Sequence, residues 1–206
     1  DTLSPNDTLF VEVPYLLADS RRDIQSFLGF RHVSGIKPWD ADEKAGYIAK
    51  LIEEEGLSYE QVMRKIGSKT PTVRELYIAY RTLLQIEDTV EEFEPRLADN
   101  RFAVLYMTLR TEGARQYLDV NIYGEPTEVL EPVPRDRLEE LRNFSLWLFG
   151  TDEIEPIIKD TRQVIKFGKV LENSVAIEYL QNASRPSLEI AYRRVGGDIA
   201  EIIGYL

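Results

Sequence analysis

The sequence predicts a mainly α protein, a helix-turn-helix domain followed by a C-terminal helical domain, and three observations predict it. Apolar residues recur at three- and four-residue spacing along most of the 206 residues. Capping residues and glycines punctuate those runs as helix starts and stops do. Between Leu57 and Leu84 two such runs lie back to back, parted by Gly67 and two polar residues. The expected organisation is an extended or loop segment at 1–37, the helix-turn-helix domain at 38–90 and the helical domain at 91–206.

Composition narrows the class. Apolar residues make up 43% and charged residues 30%, ordinary values for a soluble globular chain. No apolar run nears the roughly 18 residues that span a bilayer, and Asp1-Thr2-Leu3 lacks a signal-peptide layout, so no membrane partner is expected. Zero cysteines exclude disulfides and thiolate chemistry and fit a cytoplasmic setting. The single histidine, His32, removes multi-histidine metal sites and leaves only one candidate for a triad base. A net charge of −11 argues against nonspecific coating of nucleic acid.

In chain order, residues 1–24 read as irregular or extended, with a strand ending at Val13 before Pro14. Arg31 and His32 are candidates for a phosphate contact, or for acid and base. The simpler reading is a loop anchored by Phe27, Phe30 and Trp39. A helix is expected over 42–55, with Asp40 as N-cap, Asp42 and Glu43 at its positive end, and Gly56 as its stop. Tyr47, Ile48, Leu51 and Ile52 form its buried stripe; Asp40 with Asp42 as a metal pair is the weaker alternative, and no metal is expected.

Ser58 with Gln61 then forms a capping box, Val62 and Ile66 mark a short helix, and Gly67 ends it. Thr70 as N-cap and Pro71 in the first turn restart a helix whose apolar face is Val73, Leu76, Tyr77, Tyr80 and Leu84. From Gln61 to Ile86 stand five cations (Arg64, Lys65, Lys69, Arg74, Arg81) and one acid, Glu75. A basic island in an acidic chain is the footprint of phosphate contacts, and a second helix of this kind enters a major groove. The alternative at this point is a helical hairpin with a solvated charged face.

Lys37-Pro38, the helix at 42–55 and Leu57–Leu84 together resemble the central region of the ParB/KorB family of partition proteins. That family's pattern, L-[ST]-x-E-x-[VI]-x-x-x-[VI]-G-x-x-x-x-x-V, is matched without a gap by Leu57, Ser58, Glu60, Val62, Ile66, Gly67 and Val73. The resemblance covers roughly residues 27–86. It implies a bacterial-type, cytoplasmic protein that binds double-stranded DNA in plasmid partition or chromosome segregation. By position, Ser68, Lys69, Thr70 and Thr72 would begin the recognition helix, and Arg74, Glu75 and Ile78 would lie off its core face. Arg74 would read guanine, Glu75 could accept from cytosine, and Arg64, Lys65 and Arg81 would touch phosphates. Met63 stands where the family often has a small residue. The arginine-rich G-[ED]-R-R box and the nucleotide-binding domain do not appear in this sequence. No cofactor is therefore expected in this chain, and a nucleotide (CTP) would require an upstream domain, of which 1–37 would be a remnant.

After Ile86 the acidic run Glu87–Glu94 and Pro95 suggest a linker or boundary around 87–99, read most simply as a solvated loop. Asp99 or Asn100 then caps a helix built on Phe102, Leu105, Tyr106 and Leu109, which Gly113 interrupts before Tyr117-Leu118. Residues 119–134 read as a loop, and Arg135–Phe149 as an amphipathic helix ended by Gly150. Asp160 with Gln163 opens a further helix through Val164, Ile165 and Leu171. Shorter helices are expected at 174–182 and 187–195, with Gly196-Gly197 ahead of a last apolar segment. This half would serve packing, homodimerisation or a protein partner. Two alternatives to a DNA-binding module follow: a nucleotide-dependent or nuclease enzyme with its catalytic domain upstream, and a helical protein–protein scaffold.

Overall fold

A computed structural model describes residues 19–20 and 39–204, and the architecture below is that of those residues. The strand expected before Pro14 lies outside them, as do Arg31 and His32. Regular structure among the described residues is helical, without strands. The helices are α1 (Ala41–Glu53), α2 (Tyr59–Ile66), α3 (Thr70–Thr89), α4 (Phe102–Leu109), α5 (Glu112–Leu118), α6 (Leu138–Phe149), α7 (Val164–Leu171), α8 (Ser174–Asn182) and α9 (Leu188–Gly204). Single 3-10 turns at Arg135–Arg137 and Thr161–Gln163 lead into α6 and α7.

Two helices organise the packing. The 20-residue α3 is touched by α1, α2, α4 and α6, and α7 is touched by α4, α5, α8 and α9. The short α4 bridges both groups. It can do so because Phe102, Val104, Leu105 and Leu109 are all buried, an apolar surface too wide for one neighbour. One cluster of buried side chains accordingly runs from Ala45 to Ala191 without a break at residue 90.

Several expectations change for physical reasons. The stretch 87–99 is packed where a linker was expected: α3 runs through to Thr89, Val90 and Phe93 are buried, and the Phe93 ring meets Phe149 edge-on at 5.1 Å. Gly113 sits inside α5, and the break falls at Arg110–Thr111, where Thr111 accepts a hydrogen bond from Ala114 N–H. Gly113 serves contact, since a Cβ there would run into the Gly168 carbonyl of α7. The segments expected on either side of Gly196-Gly197 form one helix, α9. A helical glycine costs only about 1 kcal/mol, which does not oblige a break. Before α7, Asp160 accepts from Arg162 N–H, while the Gln163 side chain accepts from Lys159 N–H.

The loop 119–134 is a strap laid parallel to α3. Tyr59 O–H donates to the Gly124 carbonyl, Arg81 donates twice to the Leu130 carbonyl at 2.9 and 2.7 Å, and the Gln85 amide bonds both N–H and C=O of Val133. Val129 and Val133 are buried beneath it. These bonds satisfy loop backbone that would otherwise be buried at a cost of roughly 1–3 kcal/mol per group.

Candidate nucleic-acid interface

The α2–turn–α3 junction is fixed by local chemistry. Ser58 Oγ accepts from Gln61 N–H at 3.3 Å and Gln61 Oε1 accepts from Ser58 N–H at 2.8 Å, a reciprocal cap that starts α2. Gly67 ends α2 at φ 66°, ψ 31°, in the left-handed region, and Ser68 N–H returns to the Met63 carbonyl. Thr70 is already the first residue of α3, with Lys69 as its N-cap and Pro71 within the first turn. That is one position earlier than expected. Met63 is partly buried and packs against the core.

The junction projects only its tip. Gly67, Lys69 and Pro71 are exposed, and Ser68 and Thr72 are half-buried. Beyond that turn one side of α3 is enclosed, with Val73, Tyr77, Ile78, Ile86, Thr82 and Gln85 almost wholly covered, while Glu87, Asp88 and Thr89 at its end are exposed. Ile78, expected off the core face, is therefore part of the core.

The five cations divide unequally. Arg64 is 73% exposed and makes a loose pair with Glu60 at 3.6 Å, and Lys69 is exposed. Lys65 bonds Glu55 at 2.6 Å. Arg74, expected to read bases, lies over the Tyr59 ring at 5.0 Å, beside Glu125 at 4.0 Å, with its Nε buried and unbonded. Arg81 spends its guanidinium on the strap and on Glu53. Glu75 is turned inward as well, accepting from Tyr106 O–H and paired with Arg110, both at 3.3 Å. Three of the five cations thus fasten α2 and α3 to their surroundings.

Burial shapes the neighbouring acidities. The Tyr59 and Tyr77 phenols are both pushed well above their ordinary value of 10.0, chiefly by desolvation; at Tyr77 the bonded Glu53 carboxylate adds to it. Lys44 of α1, which donates to Ser68 Oγ at 3.4 Å, is pulled below its ordinary value by burial. Sequence reading missed Lys44 and Arg110 at this site. Both belong to other helices, and no local periodicity points to such neighbours.

Among the described residues no three His, Cys, Asp or Glu side chains group to hold a metal ion, and no helix is long and apolar enough to cross a membrane. Comparison of the chain with protein-family models, curated proteins and solved structures found no match.

Proposed function

We propose that this chain is a duplex-DNA-binding module, with α2 and α3 acting as a helix-turn-helix that enters the major groove by its tip, Ser68 to Thr72. The observation that carries the reading is the exposure pattern at the α2–α3 junction: Lys69 and Pro71 are exposed and Ser68 and Thr72 half-buried, while Val73 and Leu76 to Ala79 just beyond are buried. Recognition helices reach base edges with their N-terminal residues, so an enclosed remainder is compatible with that use. Lys69 stands in the tip and Arg64 is exposed on α2, and exposed pairs such as Arg64–Glu60 are weak enough to exchange for a phosphate. Free N–H groups at the start of α3 add a favourable dipole for an anion. In this reading Ser68, Lys69, Thr70 and Thr72 make the contacts. Arg74, Glu75 and Arg81 hold the frame that presents them. The likeness to ParB/KorB proteins adds partition of plasmids or chromosomes as the process such a module would serve.

The test is fluorescence anisotropy with labelled duplex DNA at low and near-physiological salt. Wild-type affinity is expected to fall with salt, and Arg64→Ala/Lys69→Ala should lower the log–log salt slope by about 2. Arg74→Ala should leave the affinity of the folded fraction within about threefold of wild type. It should cost about 1 kcal/mol of stability through the lost stacking on Tyr59. A wild-type chain that ignores DNA even at low salt would move the reading to a helical protein–protein scaffold. The net charge of −11 and the engagement of Lys65, Arg74 and Arg81 within the fold favour that second reading.

A further inference from the structure

Two features beside the second turn of α3 have no part in the DNA contacts proposed above. Tyr123, at 75% exposure, is the most exposed large hydrophobic side chain among the described residues. It is held there by a tight turn. Tyr123 N–H donates to Asn121 Oδ1 at 2.9 Å, Gly124 N–H reaches the Asn121 carbonyl, and the Gly124 carbonyl is pinned by the Tyr59 hydroxyl. A Cβ at Gly124 would come within 2.6 Å of Val129, so the turn has little room to relax. The aromatic ring is therefore presented to solvent by backbone that is anchored to α2.

The second feature is Arg110 at the end of α4. Its Nε pairs with Glu75 at 3.3 Å and its guanidinium lies over the Tyr106 ring at 5.6 Å, yet 47% of the side chain is exposed. A guanidinium carries five N–H donors, so one ion pair does not exhaust it. Arg115 donates to the Arg110 carbonyl, which sets a further cation beside it. Ile122, next to Tyr123, lines one small cleft with Glu75 and Arg110. Ile122 thus brings the chain at Tyr123 beside the cleft that holds Glu75 and Arg110, three residues along α3 from the half-buried Thr72. By pairing with Glu75, Arg110 also removes a carboxylate charge that would repel a phosphate at that place.

We propose that Arg110 and Tyr123 form an accessory arm of the DNA contact, outside α2 and α3. Arg110 meets a backbone phosphate, and the Tyr123 ring packs on the adjoining deoxyribose while its hydroxyl stays wet. A half-exposed arginine supplies the charge-assisted bond, and an exposed tyrosine supplies apolar area with a polar end. The proposal rests on the DNA-binding reading given above.

The experiment measures anisotropy of labelled duplex DNA with the full chain across a salt series. The variants are Tyr123→Ala, and Glu75→Gln with and without Arg110→Ala, so that no freed carboxylate confounds the arginine's loss. Expected is a loss of about 3–10-fold for Arg110→Ala with the salt slope reduced by about 1. Tyr123→Ala should weaken binding several-fold at an unchanged slope, and the helical circular dichroism should persist in all. If both variants keep wild-type affinity and slope while Arg64→Ala/Lys69→Ala loses binding, the arm is overturned and the tip stands. No wild-type binding at low salt would overturn arm and tip together.

Discussion

The two helices that organise this molecule are wrapped in different chemistry. Around α3 the contacts are fastened by polar groups: Tyr77 to Glu53, Glu75 to Tyr106 and Arg110, Arg81 to Leu130, Gln85 to Val133. Around α7 the contacts toward α5 and α6 are apolar and close, and the Lys166–Glu189 pair to α9 is the polar one. Phe167 stacks on Phe144 at 6.1 Å and meets Trp147 edge-on at 6.2 Å, while Gly168 lets α5 approach to backbone contact. The difference teaches that the basic island around α3 is mostly structural. Polar groups that fasten a strap and a helix look, in sequence, like groups waiting for a ligand.

The sharpest way to break the comparison is to ask whether the two centres unfold together. Phe144 is fully buried and stacks between α6 and α7, so Phe144→Ala should cost about 3–5 kcal/mol. The two tryptophans report separately: Trp39 sits edge-on to Tyr47 of α1, and Trp147 belongs to α6. In Trp147→Phe and Trp39→Phe backgrounds, urea melts followed by the remaining tryptophan should share one midpoint, and Phe144→Ala should lower both. A Trp39 transition left in place by Phe144→Ala would mean that α3 and α7 centre independent units.

Glycine gives a smaller and signed version of the same contrast. Gly113 in α5 faces the Gly168 backbone, which cannot move aside as a flexible side chain can. Gly113→Ala should therefore destabilise by about 1–3 kcal/mol despite alanine's better helix propensity. Gly46 in α1 has only the Tyr80 ring in reach, at 3.7 Å, an ordinary contact distance. Gly46→Ala should stabilise by about 0.5–1 kcal/mol. Thermal melts of the two variants should move in opposite directions; a common direction would mean that the tight approach of α5 to α7 is not the controlling contact.

What was legible in the sequence follows from range. The N-caps of α1 and α2 and the left-handed Gly67 depend on side chains within four residues, and the structure has them where the pattern placed them, although α1 ends at Glu53, with Glu54 as its C-cap, ahead of the expected stop at Gly56. The orientation of Arg74, Glu75, Ile78 and Arg81 was not legible. Helical periodicity marks an apolar stripe but cannot say whether the polar stripe is covered from elsewhere, and here Tyr59, Tyr106, Ile122 and Leu130 cover it. The packed course of 87–99 was hidden in the same way. Its acidic residues are exposed, and only Val90 and Phe93, two positions in a charged run, carry the burial.

The polar fastening of α3 should also give it an alkaline limit, which the buried Tyr117 phenol of α5 imposes on the α7 side as well. Tyr77 is fully covered and donates to Glu53, and burial with that carboxylate raises its phenol above the ordinary 10.0. A group whose acidity is weakened by folding stabilises the folded state below its unfolded value, and that contribution is lost as the pH rises through the folded one. Stability from Tyr77 should thus be constant up to pH about 10 and decline above it, as ionisation favours the unfolded chain. Tyr59, raised by burial in the same direction, declines with it. Urea midpoints of wild type and Tyr77→Phe, measured between pH 8 and 11 (roughly, to bracket the phenol range), should differ in slope above pH about 10, with the phenylalanine variant flatter. Equal slopes would assign the alkaline loss to other tyrosines and leave the Tyr77–Glu53 bond as packing without a protonation role.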